Sequence, residues 1–98
     1  MNSKNDITDL LSLENLEFNN VNFENMNLSG IDFSSRNLAN AIFYNTNLYN
    51  VDFTNANLSG TNFLGGSIDD ANFSGANIKN ANFIKIKLQD SNFTNAIL

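Results

Sequence analysis

Any chemistry in this 98-residue chain must be done without histidine or cysteine, since neither occurs. Their absence excludes a disulfide framework, a thiolate or imidazole zinc site, and a Ser–His or Cys–His nucleophile pair. Ten carboxylates, five basic side chains and many hydroxyls remain. Asp69, Asp70 and Asp90 offer the oxygen ligands that a hard cation takes, but three acids without a fixed loop are ordinarily just solvated, so no metal site is expected. The hydroxyls lack a general base and the lysines show no sign of burial, so neither a catalytic residue nor a cofactor is expected. Five basic residues in no patch also argue against direct nucleic-acid binding. What stands out is apolar: Ile42, Tyr44, Leu64 and Ile84 occupy places where other segments carry Ser, Thr, Asn or Asp.

A period of five positions these residues. Leu, Ile or Phe stands at every fifth position from Leu13 to Leu98, eighteen positions in all, and all nine phenylalanines lie among them. On an α-helix five residues advance about 140° beyond a full turn, which scatters the apolar residues around the cylinder. On a flat strand an odd period throws them onto alternate faces. The chain must therefore turn a corner in every unit, as a solenoid does. Two residues before each centre the side chain is small or β-branched, as at Ala41, Val51, Ala56, Thr61, Ala71 and Ala76, and these positions should also point inward. The residue between is usually Asn or Asp and should point outward. Two residues after the centre come Gly30, Asn45, Gly60, Gly65, Gly75 and Asn95, types that tolerate positive φ at a corner. The 22 asparagines are thereby explained as corners and outward hydrogen-bonding ladders.

The number of sides follows from the order of the centres. From Phe23 onward Phe recurs every ten residues, with Leu or Ile between. A three-sided coil would mix the types in each vertical column, whereas a four-sided coil of 20 residues separates them. One core ladder is then Phe23, Phe43, Phe63 and Phe83, and the opposite one is Phe33, Phe53, Phe73 and Phe93. Leu28, Leu48, Ile68 and Leu88 form a third; Leu38, Leu58, Ile78 and Leu98 form the fourth.

The units Val51-Asp52-Phe53-Thr54-Asn55, Ala56-Asn57-Leu58-Ser59-Gly60 and Ala71-Asn72-Phe73-Ser74-Gly75 resemble the pentapeptide-repeat family. The motif of that family is a small residue, Asp or Asn, Leu or Phe, Ser, Thr or Arg, then any residue. The resemblance covers residues 11–98 and implies a right-handed quadrilateral β-helix, all-β. At four units per coil there are about 4.5 coils, or a rod of roughly 20 Å. Well-known relatives protect DNA gyrase from quinolones by resembling acidic duplex DNA, so the resemblance makes a charge-mimicking regulator of a type II topoisomerase the alternative function.

Residues 1–12 are expected to be an N-terminal cap and residues 13–98 the β-helix. A short helix over 5–13, with Asp6 as N-cap and Ile7, Leu10 and Leu11 on one face, would form the lid. No lid is expected after Ile97 and Leu98, which leaves a coil open to stacking in a homodimer. Arg36 stands where the motif wants a small residue; a local bulge swinging it outward towards Asp32 or Glu17 is expected. Stacked at about 5 Å, Tyr44, Leu64 and Ile84 with Ile42 beside them make a contiguous strip suited to an interface. Residues 13–70 carry seven acids against Arg36 alone, while residues 71–98 carry three lysines against Asp90. A DNA mimic needs an acidic stripe along its length, yet the Asp32–Asp52 column continues as Asn72 and Asn92. The expectation is a non-enzymatic binding or scaffold module with an unidentified protein partner or itself, meeting it through Ile42, Tyr44, Leu64, Ile84, Ile97 and Leu98. With no leader and no run of 18 apolar residues, a cytoplasmic, bacterial setting away from membranes is expected.

Overall fold

The computed structural model describes residues 3–98; Met1 and Asn2, part of the expected cap, lie outside the described residues. Every fifth residue from Asn20 to Asn95, sixteen in a row, has φ between +53° and +76°. Eight of these are Asn and four are Gly, the types for which the left-handed region costs least. Each corner is a β-turn: the Val21 N–H donates to Phe18 O at 3.2 Å, the Ala76 N–H to Phe73 O at 3.0 Å. Positive φ at the third turn residue is the type II geometry. Lys85 is the odd member, at φ +56° with a long side chain.

Between corners only three residues run straight, so among the described residues the β-structure consists of isolated bridges and not of strands. All twelve bridges are parallel and join residues 20 apart, from Asn22–Ile42 to Asn77–Ile97. Four corners therefore separate each residue from its partner in the next layer. The bonds run both ways: the Phe43 N–H donates to Asn62 O at 2.8 Å, and the Asn62 N–H to Ala41 O at 3.1 Å.

Inside, the rings of Phe23, Phe43, Phe63 and Phe83 stack at 5.0–5.1 Å with planes within 10°. Phe33, Phe53, Phe73 and Phe93 stack at 4.8–5.7 Å, and the two columns meet edge to face, as Phe43 and Phe53 do at 5.8 Å. Aromatic pairs favour such offset and T-shaped contacts. Phe23 to Phe73, Leu28, Leu38, Leu48, Leu58 and Ile68 are fully buried, and Ile78 nearly so.

Both ends depart from the expected ladder. Leu13 is not a core centre: it is 55% exposed, in a bend just after a helix, and the first buried centre is Phe18. At the other end Leu88 is 48% exposed, and Phe83 and Phe93 are only partly buried. The reason is the register: a centre is covered by the residue 20 later, and for these that position falls beyond Leu98.

Helix α1 spans Lys4–Leu11, not 5–13, and its N-cap is Ser3, not Asp6. Ser3 and Asp6 form a capping box, the Asp6 N–H donating to Ser3 Oγ at 3.3 Å and the Ser3 N–H to Asp6 Oδ2 at 3.2 Å. A Ser followed three residues later by an acid satisfies two orphan donors, which Asp6 as N-cap would not. Ile7 is fully buried in the core cluster, with Leu10 and Leu11 packed against it.

Truncating Phe53 to Ala should cost about 3–5 kcal/mol in urea unfolding, because its ring is stacked on both sides. Phe93→Ala should cost less than half as much; equal losses would contradict the graded burial. Lys85→Gly should raise stability by about 0.5–1 kcal/mol by relieving the left-handed backbone.

Candidate interaction surface

Outside the core, each unit spends its polar residue on its own backbone. The side-chain oxygens of Asn22, Asn27, Asp32, Asn37, Asn47, Asp52, Asn57, Asn62, Asn72, Asn77, Asn82 and Asn92 each accept the N–H two residues on, at 2.8–3.1 Å. These Asx turns, and not ladders from layer to layer, hold the outward asparagines. One bond between layers accompanies them, Asn57 Nδ2 to Asn37 Oδ1 at 3.5 Å.

From Asn22 onward four units hold this position without an Asn or Asp, at Ile42, Ser67, Lys87 and Ile97, and Ile42 is the one on the face over the Phe23 column. The 20-residue register places Tyr44, Leu64 and Ile84 in successive layers of one column, about 5 Å apart, with Ile42 two residues before Tyr44. Ile42 is 36% exposed and Ile84 60%, while Tyr44 and Leu64 are half-buried. At Ile42 the Asn or Asp of the other layers is replaced by a side chain that accepts nothing, so this layer forgoes an Asx turn to present an apolar group to water. Glu24 stands exposed at the lower end of the strip and Lys85, also exposed, at the corner beside its upper end. Tyr49, 50% exposed, lies on the adjacent face. Ile97 and Leu98 are not brought to this strip; they form a separate exposed surface on the last layer, where Leu98 is 86% exposed.

Arg36 is not bulged outward. Its backbone keeps the regular pattern, its N–H donating to Phe33 O at 3.1 Å and its carbonyl accepting from the Asn57 N–H at 2.9 Å. The half-buried guanidinium instead donates to four carbonyls: Nη1 to Leu13 O at 2.9 Å, Glu14 O at 3.2 Å and Leu16 O at 3.4 Å, and Nη2 to Leu11 O. Of these, Leu11 O is an orphan carbonyl at the C-terminus of α1, where positive charge is also favoured by the helix dipole, and the other three lie in the segment that follows the helix. The expected carboxylate partners, Asp32 and Glu17, are replaced by these backbone oxygens. Nothing in the sequence pattern marked this role, because it joins segments more than 20 residues apart. Lys4 ties the other end of α1 down, Nζ donating to Ser29 O at 3.0 Å and Ser29 Oγ at 3.3 Å. Between helix and rod lies an open cleft of about 540 Å³ lined by Lys4, Thr8, Ser29, Asp32, Ser34 and Arg36 among others.

In that cleft, the hydrogen bonds from the Ser34 hydroxyl and N–H hold the Asp32 carboxyl below the ordinary range, with a smaller contribution from the charge of Arg36 and against the pull of partial desolvation. A depressed folded value makes its contribution present above the unfolded value and lost as pH falls through the folded one. Of the acids weighed as cation ligands, Asp69 accepts the Gln89 N–H at 2.7 Å, and Asp70 and Asp90 are left-handed corners. Among the described residues no group of three or more acidic side chains is arranged to hold a metal. No described helix is long and apolar enough to cross a membrane.

The family model described as a pentapeptide repeat region matches residues 12–98. The chain is similar to the crystal structure of alr5209, a pentapeptide repeat protein from Nostoc Pcc 7120, at 20% identity and TM-score 0.70, covering 98% of this chain and 75% of that one. A pentapeptide repeat protein from the Arabidopsis thaliana thylakoid lumen, AT2G44920, matches at 23% identity and TM-score 0.48, over 82% of this chain and 59% of that one. Rfr23 from the cyanobacterium Cyanothece 51142 matches at 29% identity and TM-score 0.46, over 80% and 60%. No curated protein matches the chain.

Two measurements check this surface. Ile42→Asn should stabilise the chain by about 0.5–1.5 kcal/mol in urea unfolding, because it restores an Asx acceptor; a loss of stability would show that Ile42 is there for packing. Ser34→Ala should move the carboxyl titration of Asp32, followed by NMR, upward towards the ordinary aspartate value, and an unmoved midpoint would remove Ser34 as the cause.

Proposed function

The chain belongs to the pentapeptide-repeat family, and on that premise we propose that it is a non-enzymatic binding or scaffold module. Its contact surface is the strip of Ile42, Tyr44, Leu64 and Ile84, with the open last layer at Ile97 and Leu98 as a second surface. The observation that carries this reading is Ile42, where a backbone-serving Asn or Asp is given up for an exposed apolar side chain that continues into a strip across three layers. A chain without histidine or cysteine supports binding over catalysis.

The finer architecture belongs to the same reading. We take the 20-residue register as a right-handed four-sided coil of about 4.5 turns. Residues 1–12, with α1, are its N-terminal cap, and residues 13–98 its repeat domain. The buried Ile7 and the Arg36 clasp support the cap.

The acidic balance of residues 13–70 favours one other function, charge mimicry towards a type II topoisomerase. Against it, the Asp32 and Asp52 column continues uncharged through Asn72 and Asn92, so the acidic stripe covers only part of the rod.

Sedimentation equilibrium of the 98-residue chain separates the surfaces. Tyr44→Ser, Leu64→Ser and Ile84→Ser together should abolish concentration-dependent association if the strip is the contact, and Leu98→Lys should abolish it if the last layer is. Association untouched by both sets of changes would reject both surfaces. In parallel, unaltered DNA gyrase supercoiling at micromolar protein is the expected result, and inhibition would install the mimic instead.

A further inference from the structure

Charge is sorted along the apolar strip. Glu24 lies one layer below Tyr44, and Lys85 lies at the corner next to Ile84, one layer above Leu64. The strip is therefore negative at one end, apolar in the middle and positive at the other end. A surface of that pattern is complementary to its own reverse. We propose that the strip pairs with the same strip of a second copy, antiparallel, about a two-fold axis passing between the layers of Tyr44 and Leu64.

This inference rests on the strip being the contact surface and goes further by naming what covers it. A two-fold axis lying across the face reverses the layer order while keeping each column opposite itself. Tyr44 of one copy then meets Leu64 of the other, twice, with Ile42 beside the same contact. Glu24 comes opposite Ile84 and within reach of the long side chain of Lys85, again twice. The parallel alternative, about an axis along the Phe23 column, sets Tyr44 on Ile42 but Leu64 and Ile84 on Asn62 and Asn82, and keeps the two acidic ends level with each other. Like charges at close quarters oppose that arrangement, and the antiparallel one turns them into pairs. Isologous pairing of this kind also closes on itself, so it gives a dimer and not a filament.

The face is small. With extents of 28 × 23 × 21 Å the rod can bury only about 400 Å² per copy on one side, half of what a standard interface takes. The pairing should therefore be weak, with dissociation in the micromolar range or above, and sensitive to salt, because its end pairs are exposed and screened over about 10 Å at 0.1 M.

The test uses E24K and K85E, two exposed positions outside the core, checked for fold by circular dichroism, with sedimentation equilibrium at low salt as the readout. Each variant alone should weaken the dimer about 10-fold, since each turns two attractive pairs into two repulsive ones. An equimolar mixture of the two variants should regain the wild-type association, because both end pairs of the heterodimer are then attractive; the double variant should regain it too. A simple effect of net charge predicts otherwise: E24K would strengthen association and K85E weaken it. Opposite signs, or no recovery in the mixture, overturn the antiparallel arrangement. If Leu64→Ser leaves the dimer intact, the strip itself is rejected as the contact. If the chain stays monomeric at the highest soluble concentration, the second copy is rejected as occupant while the strip remains open to a different protein.

Discussion

A left-handed residue at every fifth position is the constraint on which the rest of the structure depends. It fixes how far the chain runs straight, three residues, before it must turn, and so forbids a strand of ordinary length. Four such corners bring the backbone round to bond with itself 20 residues earlier, and the sheet hydrogen bonds then stack one layer on the next. Asn and Gly occupy most of the corners because they tolerate the left-handed region. The outward Asn and Asp work on the same scale, each bonding its own backbone two residues on. Asparagine therefore serves local turn geometry twice in a unit and carries little of the contact between layers.

The layers are joined instead by backbone bonds and by the rings. Rings stack within each Phe column and meet edge to face between the columns, and no buried polar side chain among the described residues lacks a partner. Because each centre depends on the layer above it, burial falls away through the last layer, from Phe83 to Leu98. A solenoid built from nearest-neighbour contacts has this property by necessity. At the opposite end the helix and Arg36 meet it differently. A guanidinium spread over four carbonyls joins the end of α1 to the repeat, so a residue that breaks the motif serves the junction between two kinds of structure.

Departures from the repeat are where function is to be sought, since the repeat itself serves only the fold. Ile42 gives up an Asx turn, Lys85 accepts a left-handed backbone, and Arg36 leaves a small-residue position. The last is absorbed by the helix junction. The first two flank one face and have no such structural return, and that face is also the one whose charge is sorted end to end.

The sequence by itself determined the period, the corners, the inward and outward alternation and the alignment of Phe with Phe, because each is set within five residues or by simple stacking of identical units. Gly30, Asn45, Gly60, Gly65, Gly75 and Asn95 all lie in the left-handed region as their types require. The strip was legible for the same reason, since in a regular register sequence distance converts directly into position. What only the tertiary structure decided lies where the repeat meets something else. Leu13 keeps the period yet is exposed, because the chain there is still leaving the helix. Ser3, not Asp6, caps α1, and Arg36 turns to carbonyls instead of carboxylates. These outcomes depend on the path of one irregular segment across the first layer, where translational repetition no longer carries information from residue to residue.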